Sequence, residues 1–269
     1  MPAAALYWQY AAVTLFDFQK GFLSVMEYNM SFPKEFNKVK ENRIPFVMCA
    51  GTVEYHGPHC SYGCDTLVAE GLIKKLAEKK EIMIAPTIYY SPSSYAVADE
   101  TSGTVHIEED VFEAYLYQIF MSMLDAGLRN VYVVIHHQFE QENLKPMTLS
   151  YMKASQRAIM RYLEKTQGRG WWGSENFADY YANLGGGDDP FSWIKVIPTM
   201  STEVQNATGY DHAGKYECSI LMALYPDAVK LERLGDIKHW FTESAKEAST
   251  ELGNEMVRQS LEYLEKKIV

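Results

Sequence analysis

The feature that most constrains this chain is a recurring pair: a short, almost wholly apolar run, then a stretch with helical periodicity. Ile44 to Ala50 reads IPFVMCA, Ile82 to Ile88 is a second such run, and Val131 to Ile135 reads VYVVI. Runs so short and so uniformly apolar suit strands covered on both faces, as in a parallel sheet. Between them, Asp65 to Lys80 and Ile107 to Ala126 predict amphipathic helices. The first gathers Leu67, Val68, Gly71, Leu72 and Leu76 on one face. Its last turns hold Lys74, Lys75, Lys79 and Lys80, where cations complement the helix dipole. The second opens on Glu108, Glu109 and Asp110 and stops at Gly127. This alternation predicts an α/β fold of three layers, a parallel-rich sheet with helices on both faces.

The pattern continues with a helix over Lys145 to Lys165, a short strand at Lys195 to Pro198, a helix from near Gly214 and a last one over Ser244 to Lys267. Gly168 to Asp189 breaks it with glycines among tryptophans and tyrosines. A loop of that length is expected to act as a lid or binding wall, or as a subunit contact. The first 42 residues are aromatic and mixed, with no strand pattern before Val13-Thr14-Leu15. Tyr7, Trp8, Tyr10, Phe16 and Phe18 there would suit either a subunit contact or packing on the chain's own core. No repeat, linker or low-complexity segment interrupts the sequence, so one domain over residues 1–269 is expected.

Composition removes several function classes. The chain carries 35 acidic against 25 basic residues, a net charge of -10, which argues against a nucleic-acid partner. No run of 18 or more uncharged apolar residues exists, so no membrane span is expected. Four cysteines among 269 residues cannot form a disulfide scaffold, and no basic stretch precedes an apolar one at the N-terminus. The cytoplasm is the expected location.

Three clusters carry chemistry. After the first apolar run come Glu54, Tyr55, His56, Gly57, Pro58, His59 and then Asp65. After the third come His136, His137, Gln138, Phe139 and Glu140. In open α/β sheets ligands bind beyond the carboxyl ends of the strands, so the two sets can share one pocket. Imidazoles with carboxylates suit zinc, manganese or iron. The third cluster, Asp211-His212-Ala213-Gly214-Lys215-Tyr216-Glu217, leads into an apolar helix. Glu217 in its first turn is either a simple cap or a ligand. A structural zinc site from Cys60, Cys64, His56 and His59 has poor spacing. Cys49 and Cys218 read as small core residues. There is no Gly-Xaa-Ser-Xaa-Gly elbow and no phosphate loop.

Together these clusters resemble the creatininase (creatinine amidohydrolase) family. The family's Gly-Xaa-Xaa-Glu-Gln-His-Gly-Pro-His followed by Asp is matched by Gly51 to His59 and Asp65. Its His-Ala-Gly-Xaa-Xaa-Glu-Thr-Ser is matched by His212 to Ser219, and its Pro-Gly-Thr-Ile by Ser102-Gly103-Thr104-Val105. The resemblance spans about Ile44 to Leu264. It departs after the third strand, where His137 matches a metal-binding His but the small residues around it are gone. The Glu of one family variant falls on Phe139, with Glu140 one place late, and Ala98 stands near the place of another family His.

The resemblance implies a creatininase-like fold and two divalent metal ions, zinc and/or manganese. Glu54, His56, Asp65, His137 and Glu217 would be ligands, with Asp65 bridging and Glu140 the alternative fifth ligand. A bridging carboxylate holds two cations roughly 3.5–4 Å apart, where they share a hydroxide that attacks a carbonyl. His212 is the candidate general acid, and Glu140 a second candidate catalytic group. His59 is expected to orient the loop, His136 to pack beside it, and His106 and His239 to be structural. Trp171, Trp172, Tyr55 and Gln138 are expected around a small cyclic substrate.

The leading expectation is therefore hydrolysis of a cyclic amide C–N bond. The altered third motif leaves open C–C hydrolysis of a cyclic diketone such as an oxidised inositol, for which Gln138, Gln141 and Asn143 are pertinent. A non-catalytic metal-binding protein is the alternative from another class. The family also implies a homo-oligomer, often a hexamer.

Overall fold

A computed structural model describes residues 25–185 and 189–269. In chain order its elements are β1 (Met26–Glu27), α1 (Pro33–Glu41), β2 (Phe46–Ala50), α2 (Cys64–Ala77), β3 (Met83–Ile88), α3 (Glu109–Asp125) and β4 (Val131–Ile135). A small antiparallel hairpin follows, β5 (Phe139–Glu140) with β6 (Asn143–Leu144). Then come α4 (Pro146–Gln167), β7 (Ile194–Pro198), α5 (Thr202–Thr208), α6 (Lys215–Leu224) and α7 (Thr250–Lys267).

The main sheet has the order β1-β3-β2-β4-β7, and every pairing in it is parallel. From β2 the chain crosses by α2 to β3 on one side, whereas from β4 it crosses by α4 to β7 on the other. The adjacent carboxyl ends of β2 and β4 therefore diverge, leaving the crevice where such sheets place their sites.

Side-chain alternation along the strands divides the core in two. Phe46, Met48, Ala50, Val131, Val133 and Ile135 face α3 and α4. Val47, Cys49, Tyr132 and Val134 face α2, α6 and α7. On α3 the buried residues are Phe112, Leu116, Phe120 and Leu124, every fourth position, so one narrow stripe meets the sheet. Burying each such side chain contributes about 1.5–3 kcal/mol. Helices α6 and α7 cross so closely that a Cβ on Gly253 would lie 1.9 Å from the Ser219 carbonyl oxygen.

The five-strand sheet and both helix layers match the expected class. Several local features differ. The stretch before residue 43, for which the sequence pattern assigned no element beyond Val13 to Leu15, holds β1 and α1. Helix α1 starts through Pro33 and the Glu35 carboxylate, which accepts from the Phe32 N–H at 3.1 Å, and it buries only Val39, so it carries no apolar stripe. The last helix begins at Thr250 instead of Ser244, because the Ser249 hydroxyl caps the Leu252 N–H at 3.2 Å. Trp240–Glu247 before it forms tight 3-10 turns. Val13 to Leu15 and the aromatic residues expected at a subunit contact lie outside the described residues. No helix among the described residues is long and apolar enough to cross a membrane.

Candidate metal centre

The loop after β2 is drawn tightly over the start of α2. A Cβ on Gly51 would lie 2.6 Å from the Thr66 nitrogen and 2.7 Å from the Asp65 Cβ, so only glycine lets the strand end pass this close. Segment 102–105 clamps the loop from outside. The Thr104 hydroxyl accepts from the Tyr55 N–H at 2.9 Å, and the Val53 carbonyl accepts from the Val105 N–H at 2.9 Å. His56 Nδ1 donates to the Glu54 carbonyl at 3.0 Å. That hydrogen bond commits Nδ1, so Nε2, which has no hydrogen-bond partner in a fully buried ring, is the atom that would carry the lone pair toward a cation.

Asp65 lies between two imidazoles. Its Oδ1 is 3.3 Å from His56 Nε2 and its Oδ2 is 3.0 Å from His137 Nδ1. Glu54 Oε1 stands 3.5 Å from the same His137 nitrogen, and Glu217 Oε2 stands 3.4 Å from His56 Nε2. Loops from β2 and β4 and the first turns of α2 and α6 thus meet at one point. Among the described residues the ion-pair partners of these three buried carboxylates are all imidazoles. Three carboxylates buried this close repel one another unless positive charge, from protonated imidazoles or from bound cations, stands between them. The donor atoms fall into compact groups, Glu54 with Asp65 and His137, and His56 and His212 with Glu54. The buried His56 Nε2, with no hydrogen-bond partner, also fits metal ligation. All five residues expected as ligands are brought together here.

The charge state follows from the same crowding. Burial pushes the Glu54 carboxyl up to about 7. Burial opposes protonation of His137, but the Glu54 and Asp65 carboxylates outweigh it and push the ring up to about 9. Burial also works against the Glu217 carboxylate, and His56, hydrogen bonding from His136 and His212 overcome it, holding the group down to about 2. His212 is lowered by burial and by the neighbouring His56.

His212 closes the outer side. Its Nε2 donates to the Tyr55 carbonyl at 3.1 Å, so Nδ1 is the free atom, 3.6 Å from Glu54 Oε1 and 3.9 Å from Glu217 Oε2. Its position depends on Ala213, a non-glycine residue at φ 53° whose N–H donates to Glu217 Oε2 at 2.6 Å. Asp211 accepts from the N–H groups of Tyr216 and Glu217, at 3.1 and 3.0 Å, and so starts α6. His136 is hydrogen-bonded to Thr199 Oγ1 at 2.8 Å and lies 3.6 Å from Glu217 Oε1. His106 Nδ1 accepts from the N–H groups of Ser93 and Ser94, away from the cluster.

The residues expected around a substrate are distributed differently. Trp171 and Trp172 do not reach the cluster. Their segment leaves the end of α4 and rejoins the chain just before β7, at the amino ends of the strands. There Trp171 packs on Phe177, and Trp172 on Tyr180, which meets Phe191. Gln138 is tied up by the turn that starts α4: its Oε1 accepts from the Met147 N–H at 3.1 Å. Glu140 sits on the hairpin, partly exposed, with Lys145 Nζ 4.0 Å away, and lines a cavity shared with His136 and Glu217. Tyr55 is beside the cluster, its hydroxyl hydrogen-bonded to His239 Nε2 at 3.0 Å. His239 stacks on Phe241, 4.8 Å away, and Phe241 borders His212 at 5.4 Å. Trp240, 85% exposed, stands over the same cleft. These three aromatic rings were not anticipated: Trp240 and Phe241 carry no motif, and a helix was expected to begin nearby.

The sequence model of the Creatininase family, described as creatinine amidohydrolase, matches residues 30–267. A creatinine amidohydrolase of Pseudomonas putida is 22% identical over 190 residues, 69% of this chain and 66% of that protein, so slightly under two thirds of the relative is spanned. A solved creatininase described as Mn superposes with a TM-score of 0.66 at 15% identity, over 91% of this chain and 99% of its own. A mutant creatininase of Zn-Zn type gives 0.64 at 18% identity over 91% and 99%. A mutant creatininase complexed with creatine gives 0.63 at 17% identity over 91% and 98%. At these identities the likeness to solved structures is one of fold.

Proposed function

The chain belongs to the creatininase family of hydrolases, and from that premise we propose that it is a metal-dependent hydrolase opening a small cyclic amide at its ring carbonyl. The observation that carries this reading is the Asp65 carboxylate turned with one oxygen to His56 and the other to His137. A carboxylate so placed would be shared by two cations. Glu54 and His137 would complete one pocket, and His56 and Glu217 the other. The solved creatininases described as Mn and as Zn-Zn type support zinc or manganese as the occupants. Bound there, the cations supply an acidified water and positive charge opposite the carbonyl oxygen.

The chain's own groups do the remaining work. His212 Nδ1, free because Nε2–H is committed to Tyr55, is the atom that takes a proton from the attacking water and returns it to the departing ring nitrogen. Phe241, His239 and Trp240 form the apolar wall beside His212 and offer a flat surface to a flat ring. The structure complexed with creatine supports a substrate of this small, planar kind. Hydrolysis of a C–C bond in a cyclic diketone has less behind it, since Gln138, which would have met a polyol, is engaged by Met147.

The test is turnover by metal-depleted protein reconstituted with zinc or manganese, against creatinine, related cyclic amides and a cyclic β-diketone. Ring opening of a cyclic amide, lost in Asp65→Asn, is the expected result. Turnover of the diketone alone would move the assignment to C–C hydrolysis. No turnover by fully metal-loaded protein would overturn the hydrolase reading.

A further inference from the structure

We propose that Cys64 is a metal ligand, making the pocket around His56 and Glu217 a thiophilic one that prefers zinc to manganese. This rests on the two-cation reading above and assigns it a donor that the sequence motifs do not contain. Cys64 and Asp65 are consecutive at the first turn of α2, so the residue carrying the shared carboxylate is directly preceded by a thiol. Ligand atoms of His56, Cys64 and Glu217 all lie within 4.8 Å of one another, and all three residues are buried. The second, independent observation is His56: its ring is wholly buried, its Nδ1 is spent on the Glu54 carbonyl, and its Nε2 has no hydrogen-bond partner. A nitrogen, a sulfur and an oxygen therefore converge on one point without another partner for the nitrogen.

The two halves of the centre differ in softness. Glu54, Asp65 and His137 offer two oxygens and one nitrogen, a set that suits manganese as well as zinc. Adding a thiolate to His56 and Glu217 moves that half toward zinc or cobalt(II). Binding exchanges the Cys64 S–H proton for the cation, and the proton leaves to solvent. The neighbouring thiols form a chain with it: Cys60 is hydrogen-bonded to both Cys64 and Cys218, and Cys218 Sγ lies 3.3 Å from His59 Nε2. Cys49 lies within β2, in the sheet core.

Cobalt(II) titration of the metal-depleted protein tests this without reference to activity. A bound thiolate gives cobalt an intense near-ultraviolet charge-transfer band. That band is expected in the wild type and in Cys60→Ser and Cys218→Ser, and absent in Cys64→Ser. Competition should also show Cys64→Ser losing on the order of tenfold or more in zinc affinity in one pocket, with manganese changed far less. Two equivalents of cobalt bound with no thiolate band would overturn the proposal while leaving the two-cation centre standing. Failure to bind cobalt, zinc or manganese at all would overturn both. A band that survives Cys64→Ser, or disappears instead with Cys60→Ser or Cys218→Ser, also overturns it. Should Cys64→Ser fail to fold, zinc-edge absorption of the wild type decides: one sulfur at about 2.3 Å supports the proposal, and none overturns it.

Discussion

His59 Nε2 donates to the carbonyl oxygen of Ala213 at 2.9 Å, and that hydrogen bond ties the loop after β2 to the turn that starts α6. Both pieces carry groups of the centre, Glu54 and His56 on one side and His212 and Glu217 on the other. His59→Phe should therefore leave every donor in place yet weaken zinc binding by about 10–100-fold, the range seen when support around a ligand is removed. His59→Gln, which keeps a donor, should recover part of the loss. Chelator competition on the three proteins reads this out; equal affinities would show that the tie is dispensable.

Asp65 and His137 should behave differently when altered. Asp65→Asn removes the charge facing both imidazoles, so a two-cation centre is expected to lose roughly a hundred- to a few-thousandfold in affinity at both positions, as breaking a buried charge pair costs about 3–5 kcal/mol. His137→Ala touches one pocket and should halve the metal content while sparing the other. Elemental analysis after dialysis separates the two outcomes. Equal loss in both variants would count against a shared carboxylate.

Proton inventory predicts how the metal-free protein responds to pH. His137 is raised to about 9 and Glu54 to about 7, so each contributes stability that is present at low pH and lost as pH rises through those values. These two groups should thus make the metal-free protein less stable between roughly pH 4.5 and 9. Metal-loaded protein needs a neutral His137 and an ionised Glu54, so its stability should hold across the same window. Denaturant midpoints of both forms at several pH values provide the check, and a metal-free midpoint that rises with pH would contradict it.

Gly253→Ala places a methyl group where the Ser219 carbonyl already stands, at 1.9 Å. Helices α6 and α7 must part, and an overpacked core crossing costs about 1–3 kcal/mol or more. The expected result is a thermal midpoint lower by roughly 5–10 °C. Weaker zinc binding should accompany it, because α6 carries Glu217. Calorimetry and the same chelator competition measure the pair.

The strands were legible because β2 and β4 are covered on both faces, and such burial leaves apolar runs that need no tertiary context to read. The cluster was legible for a related reason: His56 and His137 lie just beyond those runs. Helix α1 was not, since one buried residue makes no stripe. Trp171 and Trp172 misled because aromatic residues in a glycine-rich segment look alike at either end of a sheet. Only the crossing of α4 from one end to the other shows that they lie far from His212. Gln138 looked available until the turn into α4 was seen to need its carbonyl oxygen.

The strand order bears on when a cation can enter. Spatial neighbours in β1-β3-β2-β4-β7 are mostly not neighbours along the chain, and the donors run from Glu54 to Glu217. The pocket around His56 and Glu217 cannot close until α6 has docked on a sheet already containing β4. Cations bound there would thus act on the finished structure and would have little to hold during its assembly. Refolding should proceed at a rate nearly independent of zinc, whereas unfolding should slow in its presence, so that the centre acts as a late latch on a fold that forms without it.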